Sequence, residues 1–462
     1  METISFGTDG WRAIIAEDFT FENLGIIAQA MSEYLLNNYD SPSIGIGYDT
    51  RFMSERFARH LGKILKANHI NVMLSDNYLP TPVLSYTIKN RGLNAGIMIT
   101  ASHNPYYYSG VKFKAGYGGS AMVELTNKIE SYLQKSPLPY YKNQNLETYD
   151  FFKDYHDHIK KYVDLDLINS IEQTIVFDSM HGAGTGYLEK FFNQSQIDIQ
   201  AINANLNPNF DFTLPEPIPD NLQQLSKQVK YTDAVLGFAT DGDADRFGIV
   251  DQNGNFIQLH DLLPILFEYL INSRNWDGDV VRTTSMSGTI DKLAAEYNRQ
   301  VIEVPVGFKN ICEKMLDQDI LIGGEESGGF GYKNHIPERD GILSILLVLE
   351  MLAAENTNLH DKIARLRNKY GPFSYDRIDQ YCDIEKTKAN MENLINNPPS
   401  EIGGYKIERI NTIDGIKFYF DNDAWMLIRL SQTEPLFRIY VGGKETETVQ
   451  NILQAGQKLL TN

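Results

Sequence analysis

Ala95-Gly-Ile-Met-Ile-Thr-Ala-Ser-His-Asn-Pro105 opens apolar and then breaks into small, polar and turn-forming residues. An apolar run this short, with no alternation of polar positions, reads as a strand buried on both faces. Two covered faces call for helices on each side, so the strand belongs to an α/β layer. The loop after it then lies at the strand's carboxyl end, the edge where open α/β sheets bind ligands.

The flanking sequence repeats the pattern. After Thr20, an N-cap residue type, Leu24, Ile27, Ala28, Met31 and Leu35 mark one face of a helix, and Ser43-Ile-Gly-Ile-Gly-Tyr48 reads as a buried strand. A helix carrying Phe57, Leu61, Ile64 and Leu65, a strand at Val72-Met-Leu74 and a helix after Pro82 complete a first α/β unit, expected over 1–137. Ser136-Pro-Leu-Pro139 and Lys142-Asn-Gln-Asn145 form a connector. A second unit, 150–256, has strands at Thr174-Ile-Val-Phe-Asp178 and Ala234-Val-Leu-Gly-Phe-Ala239 and a hairpin-like turn at Asn253-Gly254. A third, 257–368, has strands at Val280-Val281, Val301-Ile-Glu303 and Ile320-Leu-Ile322 and a helix from Asp340 to Ala354. From about Tyr370 the texture changes to short apolar runs closed by a helix, an α+β tail over 370–462 hinged at Lys369-Tyr-Gly-Pro372.

At 462 residues the chain exceeds one ordinary core, in keeping with several domains. A formal charge of −18 disfavours general binding to nucleic acid or anionic membranes, so an anionic ligand must meet a local basic pocket. Two cysteines, Cys312 and Cys382, fit neither a disulfide framework nor a cysteine metal site. With no signal-like N-terminus and no long apolar run, a cytoplasmic protein is expected, a monomer or small homo-oligomer.

Four segments carry chemistry. Thr100-Ala-Ser-His-Asn-Pro105 offers a hydroxyl, but no Gly-x-Ser-x-Gly elbow surrounds Ser102, so a hydrolase triad is not indicated. The same residues also read as a Ser- or Asx-stabilised turn. Asp241-Gly-Asp-Ala-Asp-Arg246 crowds carboxylates that repel one another without a cation, and hard oxygen ligands suit Mg²⁺, the alternative being a solvated acidic turn. An EF-hand would need Glu where Gln252 stands. Gly323-Gly-Glu-Glu-Ser-Gly-Gly329 pairs carboxylates and a hydroxyl on a glycine loop, a clamp for sugar hydroxyls or a plain surface turn. Arg429-Leu-Ser-Gln-Thr-Glu-Pro-Leu-Phe-Arg438 collects two arginines and two hydroxyls, as an anion site in an acidic protein requires, and reads equally as an ordinary strand-turn-strand with exposed arginines.

In this order, with Phe6-Gly-Thr-Asp-Gly-Trp-Arg12, Ser109-Gly-Val-Lys112 and Pro305-Val-Gly-Phe-Lys309, the segments resemble the α-D-phosphohexomutase family of phosphoglucomutases, phosphomannomutases and phosphoglucosamine mutases. The resemblance spans nearly the whole chain. It implies three α/β domains with mixed sheets and a TATA-binding-protein-like α+β fourth around a central cleft. It implies a phosphoserine at Ser102, and Mg²⁺ held by Asp241, Asp243, Asp245 and a Ser102 phosphoryl oxygen. Arg12 and Arg246 match basic residues near the phosphoserine, and His103 and Lys112 match acid/base or electrostatic positions. Lys309, Glu325 and Ser327 match sugar-binding positions, and Arg429, Ser431, Gln432, Thr433 and Arg438 a phosphate-binding loop. Hexose 1-phosphate and 6-phosphate would interconvert through a hexose 1,6-bisphosphate. Lys112 is the expected base, on the ground that a cation-rich pocket depresses its pKa. Ser109 and Gln432 stand where many members have Asn, which bears on the sugar and the phosphate geometry. The Glu325-Glu-Ser327 loop leans towards glucose, with a mannose or dual glucose/mannose enzyme as the alternative. A catalytically silent sugar-phosphate-binding protein is the reading from another class.

Overall fold

The computed structural model describes residues 4–7, 10–192, 196–431 and 436–461. The first sheet runs in the order Trp11–Ile14, Tyr108–Ala115, Ala95–Ile99, Ser43–Tyr48, Asn71–Ser75, Thr148–Tyr149. Its last four strands are mutually parallel, and Tyr108–Ala115 is antiparallel to both its neighbours. Thr148–Tyr149, beyond the connector, joins this sheet rather than the next. The helix expected after Thr20 spans Phe21–Asn38, and the Thr20 side chain accepts from Asn23 N–H, a cap worth about 1 kcal/mol.

The second sheet runs Phe247–Asp251, Leu236–Thr240, Thr174–Asp178, Asp198–Ile202, and the third Val301–Val304, Asp279–Thr283, Ile320–Gly324, Phe330–Tyr332. In each, one edge strand is antiparallel, Phe247–Asp251 and Phe330–Tyr332 respectively. The tail sheet is antiparallel throughout, in the order Ser374–Tyr381, Leu436–Gly443, Trp425–Leu430, Ile416–Phe420, Tyr405–Asn411, Glu401–Ile402. Two helices accompany it: the closing helix Thr446–Thr461 and Ile384–Asn396, which the short-run reading of the tail did not anticipate.

One rule places all four candidate loops. Each is the return between a buried strand and its antiparallel neighbour: Ala95–Ile99 to Tyr108–Ala115, Leu236–Thr240 to Phe247–Asp251, Ile320–Gly324 to Phe330–Tyr332, and Trp425–Leu430 to Leu436–Gly443. Both ends of each loop are therefore fixed by a ladder of backbone hydrogen bonds.

The cores divide the chain unequally. Leu84, Ile88 and Met98 of the first domain pack in one continuous apolar cluster with Phe177, Phe238, Leu266 and Leu346 of the second and third. The tail keeps its own core, built on Phe418, Ile428, Ile439 and Ile452. Between them, helix Leu359–Tyr370 ends at Gly371, whose φ of +94° suits glycine, and Pro372 stops further helix. No single described helix is long and apolar enough to cross a membrane. Among the described residues, the one pair that would pass jointly, Gly341–Ala354 and Leu359–Tyr370, is bent by 86°.

Candidate active site

The loop after Ile99 holds Ser102 at φ +51°, a left-handed conformation that a non-glycine residue keeps only when its surroundings enforce it. The enforcing residue is Arg51. Its guanidinium donates to the backbone carbonyls of Ser102 (2.6 Å), Asn104 (2.7 Å), Pro105 (2.9 Å) and Tyr108 (3.2 Å), and Asp49 pairs with its Nε at 3.2 Å. Arg12 donates to the Asn104 side chain at 2.6 Å.

The acidic loop meets this one directly. Ser102 Oγ donates to Asp241 Oδ2 at 2.8 Å, and both residues are fully buried. The approach depends on Gly242, where a Cβ would lie 2.3 Å from the Ser102 carbonyl oxygen. Asp241 Oδ1 accepts the backbone N–H groups of Asp245 and Arg246 at 3.1 Å, so its own turn orients it. Thr81 donates to Asp243 Oδ2 at 2.5 Å.

Asp241, Asp243 and Asp245 are all buried and present carboxylate oxygens within 4.8 Å of one another. Burial, with the charges of Asp245 and Asp243, pushes Asp241 well above the usual carboxylate range. Burial opposes ionisation of Asp245 too, but Arg339, Lys112 and Arg246 hold it below its ordinary value. Asp243 Oδ1 and Asp245 Oδ1 are buried without a hydrogen-bond partner. Three hard oxygen donors, two of them orphaned, fit a divalent cation well.

Lys112, the expected base, lies between two carboxylates. Its ammonium lies 2.7 Å from Asp243 and 2.9 Å from Asp245. Arg339 and Arg246 stand at the same Asp245, at 2.6 Å and 4.0 Å. His103 Nδ1 lies 3.4 Å from Ser102 Oγ, and burial, then Arg246 and Arg12, keep its imidazole neutral well below its usual pKa.

In the glycine loop, Glu325 accepts Gly307 N–H at 2.9 Å and faces Arg339 at 3.3 Å. Burial raises its pKa, with Arg339 opposing. Arg339 also reaches Asp245 at 2.6 Å, tying the sugar-loop candidate to the aspartate loop. In the tail, Arg429 stands directly across from Arg438 in the strand register. Like charges so paired destabilise a sheet unless an anion lies between them. Arg438 and Arg377 both contact Asp379 at 3.0 Å. Gln432 and Thr433 lie outside the described residues.

A cleft with about 1000 Å³ of atom-free space gathers Arg12, His103, Arg246, Lys309, Glu325, Ser327, Arg429, Ser431 and Arg438 from all four domains. Arg339 and Arg377 line it as well, and sequence reading found neither. Among the described residues, six arginines and Lys309 face three glutamates there, in a chain of net charge −18, so the cleft is a local basic pocket of the kind an anionic ligand requires.

Models of the phosphoglucomutase/phosphomannomutase α/β/α domains I, II and III match residues 3–138, 153–254 and 260–370, and the family's C-terminal domain matches 383–455. The chain belongs to the phosphoglucomutase/phosphomannomutase family. Its relatives include a phosphoglucosamine/phosphogalactosamine mutase of Sulfurisphaera tokodaii and a phosphoglucomutase/phosphomannomutase of Thermococcus kodakarensis. Each is 30% identical, with 98% of both chains covered. The crystal structure of a Thermus thermophilus protein assigned as a phosphomannomutase superposes with a TM-score of 0.89 at 34% identity, covering 100% of this chain and 99% of that one. As a family member the protein is a phosphohexomutase-type enzyme, an intramolecular phosphotransferase with the four-domain fold expected from its motifs.

Proposed function

We propose that this enzyme interconverts hexose 1-phosphate and hexose 6-phosphate, with glucose the preferred sugar, through a phosphoserine at Ser102 and a hexose 1,6-bisphosphate. One observation carries the reading. The Ser102 hydroxyl bonds Asp241 of a buried aspartate triad, and His103 beside it lines a cleft that also holds the hydroxyl-binding candidates Glu325 and Ser327 and the opposed Arg429 and Arg438.

The cycle begins with Ser102 phosphorylated. The Ser102 Oγ–P bond breaks as a sugar hydroxyl oxygen forms its own bond to phosphorus and gives up its proton. The bisphosphate then turns end for end, and its other phosphoryl group passes to Ser102. Positioning and charge neutralisation dominate such transfers. Arg12 and Arg246 neutralise the moving phosphoryl group, while Lys112 sets the charge of the triad. Neutral His103 is placed to exchange the proton. Arg429, Ser431, Gln432, Thr433 and Arg438 hold the phosphate that does not react, and Lys309, Glu325 and Ser327 hold the sugar. A divalent cation, Mg²⁺ by the hardness of the donors, would sit on Asp241, Asp243, Asp245 and a Ser102 phosphoryl oxygen and supply positive charge to the transfer.

The Glu325-Glu-Ser327 loop supports glucose, while the names of the relatives favour a second reading, an amino-sugar or mannose phosphate. A coupled assay on glucose, mannose and glucosamine 1-phosphates, with and without Mg²⁺ and the matching bisphosphate, ranks the sugars. Release of free phosphate, or no turnover of any of them, overturns the proposal.

A further inference from the structure

Asp414 stands in the turn between strands Tyr405–Asn411 and Ile416–Phe420 and bonds on both sides of the junction between the tail and the third domain. Within the tail its carboxylate lies 3.1 Å from Nε of Arg429. Across the junction it accepts Val306 N–H at 2.9 Å and the Thr284 hydroxyl at 3.4 Å. Arg429 and Val306 both line the active cleft, Val306 within the Pro305-to-Lys309 segment. One carboxylate therefore links a phosphate-site arginine to a stretch of the third domain that borders the sugar.

The chemistry of the contact favours that role. Asp414 engages the inner nitrogen of the guanidinium, so this ion pair does not consume the outer fork that grips phosphate oxygens in pairs. Both side chains are largely buried, 8% exposed for Arg429 and 12% for Asp414, so neither charge is screened by bulk water. A second contact crosses the same junction without touching Arg429: Lys417 Nζ donates to the Thr284 carbonyl at 2.5 Å and lies 3.3 Å from Glu303.

We infer that Asp414 is a positioning residue for the phosphate site. It orients Arg429 and fixes it against the Pro305-to-Lys309 segment, so that a phosphate held by the tail reaches the sugar-binding loops at a set separation. The inference rests on the reading of the cleft as a hexose-phosphate site.

The test compares wild type, Asp414→Ala, Asp414→Asn and Lys417→Met by calorimetric binding of glucose 6-phosphate and by turnover. Asp414→Ala is expected to weaken binding about tenfold and to raise KM alike, with kcat within about threefold of wild type. Asp414→Asn keeps an acceptor for Val306 but loses the charge, and falls between. Lys417→Met loosens the same junction yet leaves Kd within about twofold. Wild-type affinity in Asp414→Ala, or an equal loss in Lys417→Met, overturns the inference, the latter by reducing Asp414 to an ordinary junction contact. Should Asp414→Ala fail to fold, Asp414→Asn decides by the same comparison. A wild type that binds glucose 6-phosphate without converting it defeats the proposed reaction while the Kd series still judges Asp414. A wild type that binds no hexose phosphate overturns both.

Discussion

Ser102 Oγ lies 2.8 Å from Asp241 Oδ2, joining two loops whose contacting residues are 139 positions apart in sequence. The nucleophile candidate and the first carboxylate of the triad are thus one unit. Ser102→Ala is expected to lower mutase turnover at least about a thousandfold, and chelation of divalent metal to do the same reversibly. Intact mass should show one phosphoryl group on purified wild type and none on the variant. Full activity in Ser102→Ala with Mg²⁺ and added bisphosphate would refute the assignment.

Gly242 permits that contact. In Gly242→Ala the new Cβ meets the Ser102 carbonyl oxygen at 2.3 Å unless a loop shifts. Displacement of about 1 Å at a reacting group costs on the order of a hundredfold in rate, so kcat should fall about that far. Overpacking should also destabilise the fold by about 1–3 kcal/mol. An unchanged kcat would show that the loops do not need this approach.

Arg51 satisfies four carbonyls of the serine loop from a fully buried position. Arg51→Lys keeps the charge but cannot reach all four, because an ammonium lacks the planar fork. The variant should lose about tenfold or more in kcat with KM for the sugar phosphate little changed, and Arg51→Met should lose more. A rise in KM with constant kcat would place Arg51 in ground-state binding instead.

Lys417 supplies a pH dependence of known sign. Burial, opposed by Glu303, lowers its pKa from 10.5 to about 8. Between those values the unfolded chain holds more protons than the folded one, so the lysine makes stability rise with pH across that window and contributes no slope below it. Compared with Lys417→Met by urea unfolding, wild type should gain stability between about pH 8 and pH 10. A flat difference would mean that the ammonium is not desolvated at the junction.

The sequence was most informative where function is concentrated in consecutive residues. Asp241, Asp243 and Asp245 advertise a cation site because their spacing alone crowds charge, and Ser102 stands out because a buried strand precedes it. Arg51, Arg339, Arg377 and Asp414 carried no such mark. Each acts across a distance that only folding closes: Arg339 lies 94 positions from Asp245, and Arg51 51 positions from Ser102. Lys112 shows the same limit from the other side. Its charge was legible, but whether cations or carboxylates surround it depended on where Asp243 arrives. In the tail, apolar runs marked the strands, while helix Ile384–Asn396 was passed over although Asp383 caps it and Thr387, Met391 and Leu394 recur on one buried face.

The separate core of the tail has a consequence for how such an enzyme changes over time. A repacked methyl group near Phe418 or Ile439 is absorbed within the last quarter of the chain, whereas one near Phe238 or Leu346 is felt through three domains at once. The proposed phosphate grip, Arg429 and Arg438, therefore sits in the part of the molecule that tolerates drift, and the proposed phosphoserine, Ser102, in the part that resists it. The arginine pair Arg429 and Arg438 can be retuned at one end while the loops that carry Ser102 and Glu325 stay constant at the other.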